Sequence, residues 1–334
     1  MKYPNVKSSH IVPVMYLRGF ADADGSIAVR VVGDPVAKVM AVENAGTRRR
    51  YYRRTRPDGT KIDDIEWSLA QAEEKAAPLL AGLAGSWPLP TVDKATLGAF
   101  FGLQFIRGPR WMEWREQSTI KWAEEQRDTI RAERALGTEP RVDEAGIATI
   151  EKHLLSDTGR LFHMLEVSTK MAIVFGSMHW TLVEFAAPVL ATSDHPVVLW
   201  PLNTFARGPA PTPHNVGLLE TLEIRVPVTP TRLILMTWAD VSDTAQHRAR
   251  GSRQHAGNAN AFSIAEADRQ WFHLPGTSPP CSSGRLLPQC VELVPGYDSR
   301  AAQTSRRRDR ASKIVQPLIG KSGFQPEYEI VTMG

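Results

Sequence analysis

The chain has 334 residues, 42% of them hydrophobic and 23% charged. This excludes a disordered or fibrous chain and leaves one large domain or two closely packed ones. The formal net charge of +4, from 40 basic and 36 acidic residues, permits a local patch for nucleic acid but does not argue for one.

The stretch "HIVPVMYLRGFAD" at 10–22 places a histidine before a proline-led apolar entry and predicts a short helix. "IAVRVV" alternates and is β-branched, so it predicts a strand, and "AKVMAVENA" predicts a second extended segment. "TRRRYYRRTRPDGTK" is basic and aromatic and closes on a Pro-Asp-Gly turn. Over 63–83 the apolar residues Ile65, Leu69, Ala72, Ala76, Leu79 and Leu80 recur at helical spacing, with a kink or break expected near Ala77 because Pro78 follows. An apolar helix is predicted over 95–106, ended by Gly108-Pro109, and a polar one around 111–136. From about Glu144 a helical region runs on. Its second part carries a stripe of Met164, Val167, Met171, Val174 and Met178, which reads as buried core. After Trp180 short strands follow in "WTLVEFA", "VLAT", "PVVLW", "LEIRVPV" and "RLILMTW". Helical pieces are expected at 253–262 and 264–271, and a long loop at 275–310, with a second basic run, "SRRRDRASK", that extends past its end.

The expected fold class is α+β, a helical N-terminal half packed on a strand-rich C-terminal half with a mixed or antiparallel sheet. The expected division is one domain over 1–275, helical to about 179 and strand-rich over 180–275, followed by a Pro/Gly/Arg-rich loop and extension over 276–334. The two cysteines, Cys281 and Cys290, form no zinc-like spacing and suit a reducing compartment. The opening residues lack a secretory pattern, and the longest apolar run, "MAIVFGSMHW", falls short of the roughly 18–20 residues of a membrane span. A soluble, cytoplasmic protein with no membrane partner is therefore expected, with its oligomeric state open.

Four segments in order resemble one family, the uncharacterised bacterial proteins grouped as domain of unknown function 4238. They are "HIVPVMYLRGFAD", the glutamate-bearing "IEWSLAQAEEKAAPLLAGL", the Gln-x-x-Arg helix "FFGLQFIRGPRW" and the "TSD-x-P" turn in "VLATSDHPVVLW". Weaker echoes follow in "VPVTPTRLILM" and "HAGNANAFSIAEADR", so the likeness spans roughly residues 8–275. Where the family often has Thr-Pro after the arginine, this chain has Gly108-Pro109. The resemblance implies no established reaction, so function has to be sought in the residues.

Glu66 and Glu73 are seven apart, on one face of their helix, and Gln104 and Arg107 are three apart on an otherwise apolar one. A buried Gln and Arg need partners, and the carboxylates of the neighbouring helix or Asp194 are the expected ones. With His10 these residues compose a candidate catalytic set of His10, Glu66, Gln104, Arg107 and Asp194. Glu66, Glu73 and Asp194 are the candidate ligands for Mg²⁺ or Mn²⁺. Arg49, Arg50, Arg53 and Arg54 are candidates for guiding a polyanion, with nucleic acid the possible partner. The leading expectation is a metal-dependent hydrolase of phosphodiesters, nuclease-like, with a defence or toxin role. The alternative is a non-enzymatic binding protein in which the same residues form a structural polar network, and a third reading is a hydrolase of some other substrate. No P-loop, HExxH or Gly-x-Ser-x-Gly motif is present. Ser193, Asp194 and His195 are adjacent, the wrong arrangement for a serine triad.

Overall fold

A computed structural model describes residues 8–55, 58–201, 221–238, 246–283, 286–297 and 313. Two halves of different character share one core. The N-terminal part begins with β1 (Ser8–His10), α1 (Val14–Leu17), β2 (Ser26–Val31), β3 (Lys38–Ala41), β4 (Thr47–Arg49), β5 (Arg54–Thr55) and β6 (Lys61–Ile62). It continues through α2 (Asp64–Gly82), α3 (Thr91–Ile106), α4 (Pro109–Ala135), α5 (Glu144–Leu155) and α6 (Asp157–Ser177). The C-terminal part holds β7 (His179–Glu184), β8 (Thr192–Ser193), β9 (Val198–Pro201), β10 (Thr221–Thr229), β11 (Arg232–Thr237), β12 (His247–Arg250), α7 (Arg253–Ala265), β13 (Gln270–His273) and α8 (Cys290–Leu293). This is the α+β arrangement the patterning predicts.

Among the described residues, one sheet runs β12-β7-β11-β10-β9, antiparallel except for the β12–β7 pair. A second runs β3-β2-β13-β8, all antiparallel, and stitches the start of the chain to its far end. Tyr16 on α1 ties the two sheets together: its hydroxyl donates to the Pro227 carbonyl of β10 and meets the Thr192 hydroxyl of β8 at 3.0 Å. One apolar cluster extends from Val12 to Val294 and takes in Phe101, Met164, Phe175, Trp180 and Ile234. The predicted methionine stripe on α6 lies inside it: Met164, Met171 and Met178 are all buried.

α3 and α6 pack at near-backbone contact. A Cβ added to Gly102 would lie 2.7 Å from the Met171 Cβ, and one at Gly98 would lie 3.2 Å from the Gly176 nitrogen. Glycine at these two positions is what lets a pair of apolar helices close to that distance. The Asp143 carboxylate accepts from the Gly146 N–H to start α5, and Ser156 accepts from Gly159 to start α6. That serine divides the long helical region in two.

Three expectations are corrected. Of the kink or break expected near Ala77, the break is absent: α2 continues through Pro78, with Ala76, Leu79 and Leu80 packing that turn against the core; the proline removes one N–H but not the packing. Residues 270–271 are strand rather than helix, since Gln270 pairs with Val31 and Trp271 with Arg30; non-local pairing overrides local pattern. Part of the expected long loop is packed structure: in 286–297, Cys290, Leu293 and Val294 are buried in the core. The run "SRRRDRASK" lies outside the described residues apart from Lys313. No helix among the described residues is long and apolar enough to cross a membrane.

Candidate functional site

The C-terminal end of α3 carries the hub. Arg107 is only 1% exposed, and its three nitrogens reach three segments. Nε donates to the Tyr52 hydroxyl at 3.0 Å, one terminal nitrogen donates to Glu73 Oε1 at 2.9 Å, and the other donates to the His10 carbonyl. The guanidinium also stands over the Tyr52 ring, 5.3 Å from its centre. Burial alone works against the charge, but Tyr52 and Glu73 outweigh it and hold Arg107 protonated. One side chain thus pins β1, the turn before β5, and α2 to the end of α3.

His10 enters this network through its backbone. Its half-buried ring bonds outside it, with Nε2 meeting the Glu43 carbonyl at 3.0 Å. Glu66 lies two turns before Glu73 on α2 and is half-buried. Burial pushes its carboxyl above the ordinary range, with a hydrogen bond from Ser9 and the Arg107 charge opposing. One of its oxygens, Oε1, is buried with no hydrogen-bond partner. Gln104, one turn before Arg107, is 2% exposed, and neither its amide nitrogen nor its oxygen finds a partner.

Asp194 stands apart from the Arg107 cluster in its bonding. It follows β8 and accepts three backbone N–H groups, from Asp268 at 2.7 Å, Arg269 at 2.8 Å and Gln270 at 3.0 Å. It shapes the turn that feeds β13, and burial lifts its pKa against the pull of those donors. The following residue, His195, returns to the hub: its ring lies on Gly108, where a Cβ would come within 2.7 Å of Nε2. Glycine at the position after Arg107 is therefore what admits the histidine.

Of the four candidate arginines, Arg53 donates to Asp63 at 2.8 and 2.6 Å, and Arg54 donates to Asp64. These two are engaged as bidentate pairs that fasten the basic stretch to the start of α2. Arg49 and Arg50 are exposed, and Arg50 takes a left-handed φ of 51° at the turn. A divalent cation does not fit the proposed ligands. Glu73 is bonded to Arg107 and the Asp194 oxygens are taken by three amides, which leaves Glu66 alone. Among the described residues, no three His, Cys, Asp or Glu side chains are grouped to hold a metal ion.

Sequence reasoning missed Tyr52, Ser9 and the pair Arg110–Glu266. Tyr52 sits inside a basic run that reads as surface, yet it is fully buried; no local pattern sets it apart from Tyr51 beside it. Arg110 donates to Glu266 Oε2 at 2.8 Å across the α4–α7 junction. Burial pushes the Glu266 carboxyl up to about 7 despite Arg110 beside it. The folded protein therefore holds an extra proton between the ordinary glutamate range and pH 7. Its contribution is intact at low pH and is lost as pH rises through 7, by on the order of 3 kcal/mol. Glu266→Gln is expected to flatten that slope, read as urea unfolding free energy at pH 5 and pH 8; an unchanged slope in the variant would place the titration elsewhere.

No curated protein and no solved structure matches the chain. A family model described as "Protein of unknown function (DUF4238)" matches residues 9–276. That span takes in His10, the Glu66–Glu73 helix, the Gln104–Arg107 helix and the Asp194 turn, so the chain belongs to this family.

Proposed function

We propose that the chain is a non-enzymatic binding protein in which most of the His/Glu/Gln/Arg/Asp cluster fixes the fold. The observation that carries this reading is the commitment of Arg107: buried, charged, and bonded to Tyr52, Glu73 and the His10 backbone. A guanidinium held in this way is not offered to a substrate phosphate, and Asp194 is similarly engaged by backbone. The two free cysteines suit a reducing, cytoplasmic setting.

The second reading keeps a phosphodiester hydrolase without a resident metal at these carboxylates. It is favoured by Glu66, whose raised pKa and unbonded oxygen suit proton transfer, and by exposed Arg49 and Arg50, which could attract nucleic acid.

The two readings part in one experiment. Purified protein is incubated with single- and double-stranded DNA and RNA, with Mg²⁺, Mn²⁺ or chelator. The binding reading expects no cleavage in any arm. Cleavage that disappears in Glu66→Gln, with the melting temperature unchanged, would overturn it in favour of the hydrolase.

A further inference from the structure

We propose that the outward face of the β3-β2-β13 sheet, where Arg30, Trp271 and Arg269 stand side by side, binds single-stranded nucleic acid. The inference names a partner for the binding reading and rests on it.

Strand register brings the three side chains together. Trp271 pairs with Arg30 and Gln270 with Val31. The Val32 N–H donates to the Arg269 carbonyl at 2.8 Å, so Arg269 stands opposite Val32 in the same ladder. Side chains alternate along a strand, and Val29 and Phe272 are buried in the core. Arg30 and Val32 therefore share the opposite face with Arg269, Trp271 and His273. Val39, paired with Ala28, lies on that face too. Side chains directly opposite have Cβ atoms roughly 5 Å apart and diagonal ones about 7–8 Å, so one ligand spans both arginines and the indole. The contacts agree with the register. The Arg30 guanidinium lies 5.0 Å from the centre of the Trp271 ring, and the Trp271 and His273 rings are 5.2 Å apart. Burial lowers the His273 pKa, and the Arg30 charge adds to that effect against the Leu274 carbonyl.

This patch is accessible and its charge is uncompensated. Arg30 and Trp271 are half-buried, while Arg269, Val32 and Val39 are exposed. Arg53 and Arg54 each hold an aspartate, but among the described residues no carboxylate or other acceptor engages the guanidinium of Arg30 or Arg269, and Arg30 Nε is shielded from water with no partner. The acids nearest along the chain are committed elsewhere. Asp34 accepts the Val36 N–H, Asp268 pairs with Arg48, and Asp194 accepts three backbone N–H groups. Two free guanidinium groups call for an anion, and phosphate oxygens match their fork. The surface beside them is aromatic and apolar, which a lone phosphate ion would leave unused. A single strand offers phosphates together with flat, unstacked bases that pack on such a surface; in a duplex those base faces are already stacked.

The test uses the full chain. Fluorescence anisotropy is read on labelled single-stranded DNA and RNA, on the same sequences as duplexes, and on a labelled poly-glutamate peptide. Inorganic phosphate is titrated by calorimetry, and strand integrity is followed on a gel. At least one kind of single strand is expected to bind more tightly than its duplex, with peptide and phosphate silent. Arg30→Gln and Arg269→Gln are each expected to weaken binding about threefold or more and to reduce the slope of log affinity against log salt by about 0.7. Their melting temperatures should stay close to the parent's, since neither guanidinium is hydrogen-bonded to the protein. Trp271→Leu is expected to cost about fivefold or more in affinity. Lys121→Gln, on the exposed side of α4, removes the same charge and should bind as the parent does. The proposal is overturned if single strands do not bind, if duplex, peptide or phosphate binds as tightly, or if the Arg30 and Arg269 variants behave like Lys121→Gln. Strand cutting that disappears in Glu66→Gln, with the Arg30 and Arg269 losses intact, would sink the binding-only reading and leave this surface standing. No binding together with no cutting would sink this surface alone.

Discussion

A chain ended at Gly276 is expected to lose its cooperative thermal transition, whereas one ended at Tyr297 keeps it. The matched family region stops at residue 276, but the core does not. Cys290, Leu293 and Val294 are buried against it, and burial of such side chains is worth about 1.5–3 kcal/mol each. The same segment completes the bonding of a buried ion pair. Glu223 and Arg225, 0% and 1% exposed, bond to each other. Glu223 accepts the Cys290 N–H at 2.6 Å, and Arg225 donates to the Leu287 carbonyl at 3.1 Å. Arg225 also lies 4.2 Å from the centre of the Trp200 ring, itself stacked on Phe262. Removing residues 277–297 would strip partners from charges in the interior, a loss of several kcal/mol on its own. The sum approaches the roughly 5–15 kcal/mol of a whole domain. Circular dichroism melts of the two truncations decide the matter. A sharp transition for the shorter chain within a few degrees of the longer one would show that the segment is only an ornament.

Arg107→Met is expected to cost about 3–5 kcal/mol, because it leaves the Glu73 carboxylate, the Tyr52 hydroxyl and the His10 carbonyl short of a partner at once. The midpoint of guanidinium unfolding should fall with little change in slope. Arg107→Lys should recover only part of the loss, since a single ammonium cannot reproduce a fork that reaches three directions. A double-mutant cycle with Glu73→Gln separates the pair from the rest of the network and should show a coupling of about 1 kcal/mol or more. A midpoint for Arg107→Met equal to that of the parent would remove the structural reading of the cluster.

A carboxylate partner for Arg107 on the neighbouring helix was legible, because an arginine on an apolar helix needs one; that it is Glu73, and not Glu66 or Asp194, could be known only from the structure. The main elements were legible because their apolar residues repeat at three and four, or alternate. Asp194 was legible as a special residue but not in its role, since its donors at 268–270 lie far along the chain and local pattern carries no trace of them. Gln270 and Trp271 were misread as helical because their strand exists only by pairing with β2. The orphaned amide of Gln104 was half legible. The apolar context announced a buried glutamine, while the absence of a protein partner could be known only in three dimensions.

The sheet that joins β2 to β13 sets a schedule for synthesis. The β2–β3 hairpin leaves the ribosome well before residues 270–273, which alone cover its other edge. Until then Ile27 and Val29, buried in the finished protein, lie on a strand with an open side that invites foreign chains. The nascent polypeptide therefore carries a sticky margin while the intervening residues are made, and its yield in cells should follow elongation speed and chaperone supply as closely as it follows equilibrium stability.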